Sequence, residues 1–143
     1  MYDGVHGGQM AFPGGKMEPE DYFPHGTAER ETWEEIGLLK EDIQWITEIT
    51  PVFIPPSGFL VVPILGLTNA NDFKPDPTEV HEIVQVPMDY LLRDSAIQTT
   101  QVQLANGQSI STPAFVYHDY IIWGATAMMV SEIREFILAK MKA

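Results

Sequence analysis

Cysteine is absent from the 143 residues. That excludes a disulfide framework and a thiol nucleophile, and it is compatible with a reducing cytoplasm, where we expect the protein to act. Basic residues are scarce, 8 against 20 acidic ones, for a formal charge of −12. Such a surface repels nucleic-acid backbones, and no basic stripe with interleaved aromatics is present, so no nucleic-acid partner is expected. The same balance disfavours an anionic ligand unless a metal ion mediates. No apolar run is long enough to span a membrane and no signal peptide precedes the domain, so no membrane partner is expected. His6, His25, His81 and His118 lack metal-ligand spacing such as H-x3-H. Ser57 and Ser109 lack a nucleophile elbow, which argues against a serine hydrolase. There is no internal repeat, low-complexity run or long linker.

What is present is apolar residue enough, 45%, for one domain with a real core, taken as residues 1–143. "FPGG" (12–15) reads as a strand end entering a tight turn. A helix is predicted from Thr27, as N-cap, to Ile36, with Gly37 as its stop. "IQWITEIT" (43–50) and "FLVVPILGL" (59–67) read as strands separated by a Pro-Pro-Ser-Gly turn. The second is apolar on both faces, which suggests a central strand, with Pro63 at an edge or bulge. "EVHEIVQVP" (79–87) reads as a further strand and "MDYLLRD" (88–94) as a short helix. Asn106-Gly107 between two alternating runs is a hairpin signal within 97–117. A long helix closes the chain from Gly124 to Lys142, apolar at Met128, Met129, Ile133, Phe136, Ile137 and Met141. The order of elements argues for a mixed α/β domain.

The first helix is crowded with acid: Glu29, Glu31, Glu34 and Glu35 fall within seven residues. Glu31, Glu34 and Glu35 share a sector of about 100°. Ala28, Thr32 and Ile36 form the less polar stripe beside it. A solvated acidic face is the ordinary explanation of such a run. Two physical costs stand against it. Like charges four apart destabilise a helix by roughly 0.2–0.5 kcal/mol. Glu34 and Glu35 also sit at the negative end of the macrodipole. A hard divalent cation such as Mg²⁺ would offset both, binding a few carboxylates, waters and substrate phosphate oxygens. The Gly14-Gly15 turn would let backbone approach it.

These residues together resemble the Nudix box, G-x5-E-x7-R-E-U-x-E-E-x-G-U with U apolar. Gly15 takes the first Gly, and Arg30, Glu31, Glu34, Glu35, Gly37 and Leu38 match, with Thr32 at the first U. Asp21 stands where the first Glu is usual, and eight residues separate it from Arg30 instead of seven. That extension, with "HGGQMAFPGG", "GFLVVPILG" (58–66) and "IIWGATAMMVSEI" (121–133), resembles the coenzyme A pyrophosphatase branch of Nudix hydrolases. The resemblance implies a Nudix fold, a mixed sheet sandwiched between helices. Members of the branch carry strands and an Arg-containing segment before the box. Here Gly4 stands where that Arg often falls. The resemblance therefore implies an N-terminally short chain, or a homodimer in which a second protomer supplies the strand.

The resemblance further implies a metal-dependent pyrophosphohydrolase using Mg²⁺ or Mn²⁺. The implied metal set is the Gly15 carbonyl with Glu31, Glu34 and Glu35. The implied catalytic set is Arg30, Glu31, Glu34 and Glu79, Arg30 orienting the box carboxylates through an ion pair. Either a protein base or a metal-bound hydroxide is needed. Glu79 in "TEVHEI" is the candidate base and Glu82 the runner-up, on opposite faces if the segment is a strand. The implied substrate is a small nucleoside diphosphate derivative, coenzyme A first, giving 3′,5′-ADP and a phosphopantetheine product. ADP-ribose or NADH as substrate, and nucleotide binding without turnover, are the alternatives. Trp123 reads as core packing rather than base stacking. Tyr22, Phe23 and Phe53 either line an adenine or pantetheine pocket or cover a core.

Overall fold

The computed structural model describes residues 9–55 and 57–142. His6, Gly4 and the start of "HGGQMAFPGG" lie outside the described residues. By contacts the chain divides into two compact units, Phe12–Val84 and Gln85–Ala143, the second also taking in the stretch that ends at Ala11.

In the first unit, α1 runs His25–Ile36. Gly37 ends it in the left-handed region (φ 72°), its N–H donating to the Trp33 carbonyl. Only glycine adopts that conformation without steric penalty, so the sequence-level stop is met for its physical reason. The start differs from the sequence reading. The helix begins two residues before Thr27, Pro24 precedes it, and no side chain caps it. Thr27 is instead inside the first turn and buried, as is Thr32 one stripe along.

β1 (Gln44–Glu48) pairs antiparallel with β4 (Ile64–Leu67), with a register shift between Trp45 and Thr47. β2 (Val52–Ile54) pairs antiparallel with β3 (Phe59–Val61). The single central strand expected over 59–67 is thus two strands broken at Val62-Pro63. Pro63 has no N–H for a ladder, and the halves go to different partners; its carbonyl accepts from Ile49 N at 2.9 Å. Phe59 and Leu60 are more than half exposed, contrary to a central strand. Among the described residues the strand expected over 79–87 is also absent: residues 77–79 form a turn and 82–87 carry no strand. Leu38 and Ile49 are the buried apolar residues of this unit.

In the second unit, the short α2 (Met88–Leu91) leads into a hairpin of β5 (Ile97–Gln103) and β6 (Ser109–Tyr117). The Asn106-Gly107 turn is where the sequence places it, with Gly107 at φ 88°. β6 then pairs with β7 (Tyr120–Ile122), which the sequence reading does not separate out. α3 (Gly124–Lys142) closes the chain as expected. Ala96, Phe115, Ile122 and Val130 make the core, with Tyr90 and Ala127 packed on it. Met129 is buried, whereas Met128 and Met141, assigned to the apolar stripe, are largely exposed. Trp123 is half-buried. Among the described residues no helix is long and apolar enough to cross a membrane.

Candidate active site

α1 carries a network of charges centred on Arg30. Its guanidinium forks onto Asp21, Nε donating to Oδ1 and Nη2 to Oδ2, both at 3.0 Å. Nη2 also donates to the Lys16 carbonyl at 3.0 Å. Nη1 lies between two helix carboxylates, 3.4 Å from Glu31 Oε1 and 3.2 Å from Glu34 Oε1. Arg30 therefore reaches two of the box carboxylates, but its principal partner is Asp21. A bidentate pair of this kind is the strongest geometry open to arginine. The Asp21 side chain is 7% exposed, against 47% for Glu34. The Arg30 hydrogen bond holds the Asp21 carboxyl at about 2, with help from the Glu18 amide and the Thr27 hydroxyl.

The other end of the helix is electrostatically different. Burial pushes the Glu35 carboxyl up to about 7. The Gly14 N–H, 3.4 Å from Oε1, opposes that rise, and the charges of Glu31, Glu79 and Glu34 add to it. Glu31 is raised as well, first by burial, with Arg30 opposing and Glu34 and Glu79 adding. Acids that raise one another in a partly buried place are a functional-site signal. Gly15 lies directly against the Glu31 carboxylate: a Cβ there would overlap it. This close approach is what the glycine permits.

Glu79 is brought into this field by a strap from the loop after β4. Lys74 N donates to the Ile36 carbonyl at 2.8 Å and Asp76 N to the Glu35 carbonyl at 2.9 Å. These bonds satisfy orphan carbonyls at the helix end. Asp76 Oδ1 accepts from Thr78 N and Oγ1, and Glu79 N donates to the Asp76 carbonyl, which builds the turn that carries Glu79. Glu79 is thus placed by a turn and not by strand alternation, so the expectation that Glu79 and Glu82 lie on opposite faces of a strand has no basis. Sequence reasoning missed the strap, although Asp76-Pro77-Thr78 is an Asx-turn signal.

The fourth glutamate belongs elsewhere. Glu29 Oε2 accepts from Trp45 Nε1 at 2.9 Å, tying α1 to β1, and His25 meets the Trp45 ring edge-on at 5.5 Å. Tyr22, Phe23 and Phe53 are all exposed, so none of them covers a core.

The donors gathered at the C-terminal half of α1 are hard oxygens: Glu31, Glu34, Glu35 and the backbone at Gly14-Gly15. Hard divalent cations take such a set, and Mg²⁺ keeps several waters in preference to a closed protein cage. Among the described residues no three acidic, histidine or cysteine side chains are drawn together as a set that could hold a metal ion.

The chain belongs to the Nudix family: the NUDIX domain model matches residues 3–105. It is 30% identical over 143 residues to mouse peroxisomal coenzyme A diphosphatase NUDT7, covering 95% of this chain and 60% of that protein. It is 34% identical over 139 residues to human mitochondrial coenzyme A diphosphatase NUDT8, covering 94% of this chain and 56% of that protein. An uncharacterized Nudix hydrolase NudL of Photorhabdus laumondii is 32% identical over 131 residues, 91% of this chain and 69% of that protein. The chain thus spans little more than half to two thirds of the length of these relatives.

Proposed function

We propose that the protein is a divalent-metal-dependent pyrophosphohydrolase that cleaves the diphosphate of coenzyme A or a derivative to 3′,5′-ADP and a phosphopantetheine product. The observation that carries this is Arg30 Nη1 set between Glu31 and Glu34, with the Glu31 carboxylate against Gly15 and the Glu35 carboxylate against the Gly14 N–H. The coenzyme A diphosphatase names of two relatives support the choice of substrate. The family match across residues 3–105 supports treating the chain as one Nudix domain. The lack of cysteine fits a reducing compartment, and we assign the cytoplasm.

Glu31, Glu34, Glu35 and the Gly15 carbonyl would hold Mg²⁺ or Mn²⁺. The cation would neutralise phosphate charge and acidify water at the site. That removes the objection that a chain of charge −12 should not bind an anion. Arg30 aims Glu31 and Glu34 and keeps its own charge, since Asp21 and its neighbours stabilise the guanidinium. Glu79, exposed and carried on the strap, is the candidate base that takes the proton of the attacking water. The water oxygen joins one phosphorus as the bond from that phosphorus to the bridging oxygen breaks, and the bridging oxygen leaves with the other phosphate.

The test is a panel of coenzyme A, ADP-ribose and NADH incubated with Mg²⁺ and resolved by chromatography. We expect coenzyme A to be cleaved fastest, with 3′,5′-ADP as a product. Preference for ADP-ribose or NADH would reassign the substrate. No turnover with Mn²⁺ still bound would leave a nucleotide-binding domain.

A further inference from the structure

Thr27 has no part in the reading above, yet it is 5% exposed and its hydroxyl is committed to the Arg30 network. We propose that Thr27 is a positioning residue for the hydrolytic site, acting through Asp21 and Arg30 on Glu31 and Glu34. The proposal rests on the hydrolase reading.

The argument begins with the donors of Arg30. A guanidinium has five N–H groups in a rigid fork. Each has an acceptor here: Asp21 Oδ1 for Nε, Asp21 Oδ2 and the Lys16 carbonyl for Nη2, Glu31 and Glu34 for Nη1. Because the fork is planar and rigid, the direction of Nη1 follows from how Nε and Nη2 are held. Asp21 takes the Nε donor and shares Nη2, so Asp21 sets the aim of the edge that meets the two glutamates.

Asp21 itself needs fixing. It lies in the loop before α1, and its side chain is one methylene shorter than the glutamate of the usual box. Its Oδ2 accepts from the Glu18 amide at 2.9 Å and from Thr27 Oγ1 at 3.0 Å, in addition to Arg30. The Glu18 bond is local to the loop. The Thr27 bond is the one that ties Asp21 to the first turn of α1, the same rigid element that carries Arg30, Glu31 and Glu34. A β-branched side chain buried in a helix has few rotamers, so its hydroxyl is a stiff anchor. Without it the carboxylate loses a charge-assisted bond to the helix turn and is held less firmly, and the aim of the fork loosens with it.

Thr27→Val keeps the shape and removes the hydroxyl; Thr27→Ser keeps the hydroxyl. Three properties are measured on each full chain: kcat and KM for the diphosphate cleaved, the Mn²⁺ dissociation constant by electron paramagnetic resonance of free Mn²⁺, and the circular dichroism melt. We expect Thr27→Val to remain folded, to lose about 10–100-fold in kcat and to weaken Mn²⁺ binding, with KM little changed. Thr27→Ser stays close to wild type in both. Asp21→Asn alone produces the same losses, and Thr27→Val adds nothing further in that background. Unchanged kcat and Mn²⁺ affinity in Thr27→Val overturn the proposal. So does an equal loss in Thr27→Ser, which would mean the methyl packing matters, or independent multiplication of the Thr27 and Asp21 effects. If the wild-type chain cleaves none of the panel, the hydrolase reading fails, and the Mn²⁺ constants with their coupling to Asp21→Asn still decide the role of Thr27.

Discussion

Asp21 and Glu35 flank α1 at opposite ends, and each is a carboxylate with restricted access to water. Their protonation is driven in opposite directions. Asp21 has a bidentate arginine, a backbone amide and a hydroxyl, and its carboxyl is held at about 2. Glu35 has one amide at 3.4 Å, partial burial and three acidic neighbours, and its carboxyl rises to about 7. The difference lies in what surrounds the group, because burial alone would raise both. One end of the helix is electrostatically complete within the chain. The other carries carboxylates that raise one another, which the proposed cation would offset.

That contrast is tested most severely by neutralising the crowded acids. Glu34→Gln or Glu35→Gln removes a proposed ligand and a repulsion together. We expect activity to fall by about 10²–10⁴-fold while the thermal midpoint without metal stays level or rises. A fall in both activity and midpoint would make these acids structural. Gly15→Ala is the next largest perturbation. The added methyl would displace the Glu31 carboxylate, so we expect about 10–100-fold weaker Mn²⁺ binding with the helix intact by circular dichroism. Unchanged binding would remove Gly15 and Glu31 from the metal set.

The same contrast predicts opposite pH dependences. The Glu35 carboxyl is raised from 4.5 to about 7, so the folded chain binds more protons than the unfolded one across that window. Its stability without metal therefore falls as pH rises from 4.5 to about 7. Allowing for solvent screening, the Glu35 contribution is about 1 kcal/mol. Denaturant titrations in EDTA should show the slope, and Glu35→Gln should flatten it. The Asp21 contribution has the reverse sign: it is present above 3.8 and lost as pH falls through about 2. If Glu35→Gln leaves the slope near pH 6 unchanged, the partly buried Glu35 carboxyl is not its source.

The parts of this picture legible in the sequence are those governed by local chemistry. Gly37 must end a helix, Asn106-Gly107 must turn a hairpin, and both do so. The box residues were visible because their spacing is fixed along one helix. What stayed hidden depends on partners distant in sequence. Helical spacing pairs Arg30 with Glu34 and says nothing of Asp21, which sits in a loop. Thr27 has the composition of a cap, and only the position of Pro24 and the reach of Asp21 show that it is not one. The apolar run 59–67 reads as one strand because hydropathy does not register that Pro63 divides it between two partners. The segment 79–87 alternates like a strand, yet among the described residues it forms none, and its start is the turn built on Asp76.

The smallest expected effect sharpens the comparison from the other side. Glu29 is as acidic as its three neighbours and lies on the same helix, yet its carboxylate is matched by the Trp45 indole at 2.9 Å. If the acids matter through unmatched charge and not through mere number, Glu29→Gln should leave activity and Mn²⁺ affinity as they are, because Gln still accepts from the indole. Trp45→Phe removes the donor and keeps the ring that His25 packs against. We expect it to destabilise the chain by about 1–2 kcal/mol in denaturant titrations, with kcat unchanged. A loss of activity in Glu29→Gln comparable to that in Glu35→Gln would mean that the whole acidic helix acts as one field, and the distinction between its matched and unmatched carboxylates would fall.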